Sequence, residues 1–90
     1  MREGMSNPDI EVITLLQRAS RTVQGRELPE LTLTTRLTEI GVDSVGLLEM
    51  VGSVEDQIGL RLPDEEIARL ATVADVADLI ERTRRAAAAG

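Results

Sequence analysis

The sequence predicts a small all-α fold: a four-helix bundle with a long loop between helices I and II and a short helix III. Three observations carry this. Apolar residues recur at helical spacing in separate stretches. No alternation of apolar and polar residues persists long enough for a strand. The breakers Gly25, Pro29, Gly59 and Pro63 divide the chain unequally, leaving one long connection before Ser44.

Helix I is expected from about Pro8 to Thr22. Asn7 suits the N-cap, Pro8 the first helical position, and acids follow in the first turn. Val12, Leu16, Ala19 and Val23 then recur at i, i+4, i+7 and i+11, with Ile13 and Leu15 broadening the stripe. Gln24-Gly25 ends the run. From Arg26 to Asp43 no helical period is sustained, and Leu28, Leu31, Leu33, Leu37 and Ile40 are spaced irregularly. That spacing suggests a loop laid across the bundle and held by apolar anchors. Helix II runs from Asp43-Ser44 to about Ile58, where Gly59 stops it, with Leu47, Met50, Val51, Val54 and Ile58 as its core face. Pro63-Asp64-Glu65-Glu66 begins a short helix III, with Ile67, Leu70 and Ala71 expected to face inward. Thr72 and Asp75 resemble a capping box with Asp in the acidic slot. They open helix IV, carried by Val73, Val76, Ala77 and Ile80. Arg82, Arg84 and Arg85 fall in its expected last turns, where cations complement the dipole. Ala86 to Gly90 are expected to fray. The reading is one domain over residues 1–90, ordered over about 8–85.

Composition restricts what such a domain can do. With 90 residues, it buries only about 60–68% of its unfolded surface, so the core is thin and leaves no room for a separate catalytic unit. There is no Cys and no His, which removes disulfides, thiolate metal sites and the commonest general base. No metal site is expected. Without Phe, Tyr or Trp the core is aliphatic, and base-stacking platforms are missing. The first residues do not resemble a signal peptide and no apolar run approaches a membrane span, so a cytoplasmic protein away from membranes is expected; nothing in the sequence supports an oligomer, and a monomer is the default expectation. The net charge is −6, and the segment from Ile40 to Ile80 carries nine acids against Arg61 and Arg69. An acidic face repels nucleic-acid phosphates and attracts basic protein surfaces, although simple solubility also accounts for it.

The segment Gly41-Val42-Asp43-Ser44-Val45 stands at the start of helix II. An isolated Asp-Ser before an apolar run is most often a helix cap. Here it has company. Thr35 and Leu37 lie upstream with Ile40-Gly41; Glu49-Met50-Val51 follow; then come Gly59-Leu60-Arg61-Leu62-Pro63-Asp64-Glu65-Glu66 and Thr72-Val73-Ala74-Asp75. Together these resemble the acyl carrier protein family, whose Gly-x-Asp-Ser-Leu signature is matched with Val45 in place of Leu. The likeness spans roughly Thr34 to Ile80.

The resemblance implies a non-catalytic carrier subunit of a multi-enzyme synthase. It would carry 4′-phosphopantetheine on Ser44, with Asp43 helping a phosphopantetheinyl transferase assemble its metal-bound active site. The arm would supply the thiol that this chain lacks and hold acyl or aminoacyl groups as thioesters. A serine at a helix N-terminus suits a phosphodiester, since free N–H groups and the positive dipole end stabilise an anion by about 0.3–1 kcal/mol.

Helix II has more apolar residues than one stripe needs. Val45 and Leu48 share a second side with Glu49, Gly52, Glu55 and Asp56. This matches the surface by which carriers meet acyltransferases, ketosynthases or ligases bearing basic patches, with weak and salt-sensitive affinity because each acid is expected to be exposed. The alternative is that Leu48 packs under the long loop and the acids are a solvated face.

Some positions depart from the family pattern. Gly46 stands where many fatty-acid carriers have Asp, and Gly52 where a larger apolar residue is common. The Gly-Gly-x-Ser pattern of peptidyl carriers is absent. These departures, with an all-Arg basic complement and an Ala-rich tail, point toward a discrete carrier in polyketide or related antibiotic-type biosynthesis. A primary fatty-acid carrier and an aminoacyl or peptidyl carrier remain alternatives. So does a helical interaction module in which Ser44 is only a cap.

Overall fold

A computed structural model describes residues 8–89. The described chain forms α1 (Pro8–Gln24), a 3₁₀ turn (Leu37–Glu39), α2 (Ser44–Ile58), α3 (Asp64–Ile67) and α4 (Val73–Ala89). The expected Asn7 cap lies outside the described residues. Helix α1 runs two residues past its expected end and stops at Gly25, whose φ of +67° is open to glycine without a Cβ penalty. The N–H of Gly25 donates to the Arg21 carbonyl at 3.2 Å.

The core is aliphatic and assembled from every segment. Leu16, Ala19, Ile40, Met50, Val54, Val73 and Leu79 are essentially sealed from solvent. Helix α2 packs chiefly along α1, and α4 also packs on α1. The expected stripes of α1 and α2 face inward, with Ile13, Val23, Leu47 and Ile58 only partly covered. Leu62 and Leu79 are buried as well, although neither stood out in the sequence.

The connection between α1 and α2 is laid over the bundle as expected. Leu31, Leu37 and Ile40 are buried, and Leu28 and Leu33 pack partly against the core. It also has a second role that the sequence did not announce. Arg36 and Thr72 form an isolated antiparallel bridge. Around it Leu37 N–H donates to the Ala71 carbonyl at 2.9 Å, while Val73 and Ala74 N–H donate to the Thr35 and Leu33 carbonyls at 3.0 and 2.9 Å. The first amides of a helix have no partner within it, and here the loop supplies one for α4.

Three expectations about the C-terminal half need correction. Ala71 does not face inward: it is exposed, while Ile67 and Leu70 are half-buried. The alanines do not fray at Ala86: α4 continues to Ala89, in keeping with alanine's high helix propensity. The last turn therefore contains no basic residue, and the arginines act laterally instead. Arg84 makes a two-pronged pair with Glu11 of α1, both contacts at 2.9 Å; Arg82 pairs with Asp78 and Arg85 with Glu81 one turn away. The Thr72–Asp75 box is present: Asp75 N–H donates to Thr72 Oγ1 at 3.2 Å, and Thr72 N–H donates to Asp75 Oδ2 at 3.0 Å. The same oxygen accepts from Ala71 N–H at 2.9 Å. These backbone donors, Ala71 first, hold the Asp75 carboxyl below its ordinary value.

Candidate attachment site at the start of α2

Three local features build the site. Gly41 turns the chain with φ +84°. Asp43 is extended (φ −85°, ψ −177°) and caps α2, its Oδ1 accepting from Gly46 N–H at 2.7 Å. Ser44 is then the first helical residue and is exposed. Leu47 N–H closes the first turn on the Asp43 carbonyl at 2.9 Å. The Ser44 and Val45 N–H groups find no acceptor among the described residues. An exposed hydroxyl beside two free amides at the positive end of a helix dipole fits a phosphodiester.

The two apolar residues after Ser44 stay on the surface. Val45 is 65% and Leu48 60% exposed, so Leu48 does not pack under the long loop. Glu49 and Asp56 are exposed on the same helix, and Glu49 accepts from Gln24 Nε2 at 3.3 Å. A Cβ added at Gly52 would meet nothing within 4 Å, so the helix surface has a gap there.

Glu55 departs from the expectation that every acid on this face is exposed. Its side chain is only 18% exposed, because its Oε2 accepts from Leu62 N–H at 2.7 Å. That carboxylate ties down the chain after α2. Gly46 also differs in character from a merely missing charge. It is buried, and a Cβ there would lie 3.0 Å from Gln24 Nε2, 3.2 Å from Asp43 Oδ1 and 3.3 Å from Val42 Cβ.

Sequence reasoning missed a cleft that opens beside Ser44. It measures about 540 Å³ and is mostly apolar, lined by Ser44, Leu47, Leu48, Asp64, Ile67 and Leu70 together with Ala68. Leu47, Ile67 and Leu70 read as core residues in sequence. Only the placement of α3 against α2 shows that they form the walls of an open cleft.

A carrier domain is the class to which comparison with known proteins assigns this bundle. The family model described as phosphopantetheine attachment site matches residues 12–80. The acyl carrier protein of Rhodococcus erythropolis is 30% identical over 79 residues, covering 87% of each chain. That of Rickettsia bellii is 36% identical over 59 residues, 64% of this chain and 69% of its own. The meromycolate extension acyl carrier protein of Mycolicibacterium aurum is 33% identical over 73 residues, 80% of this chain and 75% of its own. In fold, the crystal structure of an acyl carrier protein from Thermotoga maritima superposes with a TM-score of 0.79 at 23% identity, covering 90% of this chain and 95% of that one. The chain belongs to the acyl carrier protein family, whose members carry a covalent 4′-phosphopantetheine on a serine and have no catalytic activity of their own. Among the described residues no helix is long and apolar enough to cross a membrane.

Proposed function

We propose that Ser44 is the attachment residue and that the chain carries acyl groups on the arm it bears. The observation that carries this is a single one: Ser44 is the exposed first residue of a capped helix, inside the matched family segment. The arm supplies a thiol to a chain that has none. Asp43 serves twice, as the cap of α2 and as a carboxylate for transferase recognition. Val45, Leu48, Glu49, Gly52 and Asp56 form the face that meets acyltransferases, ketosynthases or ligases. Glu55 shapes that face by holding the chain after α2 in place.

Incubation with coenzyme A and a broad-specificity phosphopantetheinyl transferase, read by intact mass, tests the attachment. One phosphopantetheine group is gained by the parent and none by Ser44→Ala. A gain that survives the substitution contradicts the proposal.

For the pathway, we favour polyketide or related specialised biosynthesis, supported by the gap at Gly52 and by the glycine at position 46. The buried notch around Gly46 weakens its share of that support, because packing alone disfavours a larger residue there. The likeness to a meromycolate extension carrier favours a second reading, a carrier for fatty-chain extension. Reconstitution with ketosynthases of each kind separates the two.

A further inference from the structure

The only buried polar side chain among the described residues is Ser20, near the end of α1 and far in sequence from Ser44. Its hydroxyl donates to the Arg26 carbonyl at 2.8 Å. With the backbone of Arg26 held there, the guanidinium reaches across fifteen residues of chain and Nη2 donates to the Gly41 carbonyl at 2.8 Å. Gly41 leaves room for this: a Cβ there would lie 2.7 Å from the same Nη2. Two residues before Arg26, Gln24 presents its amide over the first turn of α2. Its Nε2 donates to Glu49 and lies against the notch at Gly46. Both ends of the attachment turn are thus held from the end of α1 and the chain just after it: Gly41 by Arg26, and the Gly46 side by Gln24 through Glu49. Between them sit Asp43 and Ser44.

We propose that Arg26 and Gln24 are positioning residues for the modification of Ser44, bracing the Gly41–Gly46 turn so that the hydroxyl is presented in one arrangement. The proposal rests on Ser44 being the attachment residue. The physical reason is preorganisation: a transferase that must order a loose turn loses part of its binding free energy to that ordering. The Arg26 side chain is exposed, Gln24 is half-buried, and neither belongs to the core, so removing either side chain should act on the turn and leave the bundle standing.

The test uses the full-length unmodified chain, coenzyme A and a phosphopantetheinyl transferase, with initial rates over a range of carrier concentrations. Losing one such hydrogen bond should lower kcat/KM for Arg26→Ala by about three- to tenfold, mainly through KM. Arg26→Lys, which keeps a donor, should recover part of the loss. Helical circular dichroism should match the parent and the melting temperature should fall by no more than about 8 °C, as for one lost hydrogen bond in a domain of this size, while the amide resonances of Gly41 to Gly46 shift and those of α4 do not. An Arg26→Ala chain modified at the parental rate overturns the brace. So does a rate loss that accompanies a larger fall in melting temperature and is shared equally by Arg26→Lys, because the residue is then only structural. Because Arg26→Ala changes the α1 loop itself, Gln24→Ala is assayed as well; an unaltered rate there removes Gln24 from the brace. A parent that gains no phosphopantetheine overturns the attachment reading first, and that failure is visible before any variant is compared.

Discussion

Replacing Asp43 separates the two roles assigned to it. Its Oδ1 takes the Gly46 N–H at 2.7 Å, the one side-chain cap of α2. Truncating such a cap to alanine costs about 1 kcal/mol, within a range of about 0.5–2. For a domain of this size, about 1 kcal/mol lowers the melting temperature by about 4–8 °C. Asp43→Ala should therefore melt lower by about that amount and be modified slowly. Asp43→Asn keeps an acceptor oxygen and loses the charge, so it should melt close to the parent. If the carboxylate also serves the transferase, Asp43→Asn is still modified slowly. Thermal melts followed by circular dichroism, paired with initial modification rates, read both effects. An Asp43→Ala chain that melts like the parent refutes the capping argument. An Asp43→Asn chain modified at the parental rate refutes the recognition role and leaves Asp43 a cap alone.

The remaining predictions concern packing, pH and docking. Met50 is fully buried, so Met50→Ala should cost about 2–5 kcal/mol and lower the urea midpoint without altering the slope of unfolding; a smaller loss would mean that the centre of the bundle closes over the cavity. Asp75 and Glu11 are both held below their ordinary values, by the Ala71 and Thr72 N–H groups and by Arg84 respectively. The unfolded chain therefore takes up protons first on acidification, and their contribution, present above the unfolded values, is lost as pH falls through the folded ones. Asp75→Asn should accordingly melt lower at neutral pH yet lose less on acidification than the parent; parallel melting-temperature curves would contradict this. Glu49→Arg should slow acylation by partner enzymes while leaving the helical circular dichroism unchanged, and equal acylation rates would count against the docking face.

How much of this was readable in the sequence depended on the range of the interactions. Both ends of α2 were legible because Asp43 and Gly59 each act on backbone groups within a few residues of themselves, as caps and stops do. The Thr72–Asp75 box was legible for the same reason. What escaped involves partners far apart in the chain. Nothing beside Glu55 announces that its carboxylate accepts from Leu62 N–H, because this requires the turn after Gly59. Gly46 looked like a lost charge, and only the return of Gln24 over the first turn of α2 shows it as a crowded position. Likewise the pairing of the long loop with Ala71, Val73 and Ala74 has no periodic signature. The apolar cleft beside Ser44 escaped because a half-buried residue and a core residue look alike in a helical stripe.

The most direct test of the central claim is to locate the added group. The chain has four serines, Ser6, Ser20, Ser44 and Ser53. Fragment-ion mass spectrometry of the modified protein should place the whole phosphopantetheine on Ser44 and none on the other three. Modification at Ser53, Ser20 or Ser6 with Ser44 unaltered would contradict the assignment.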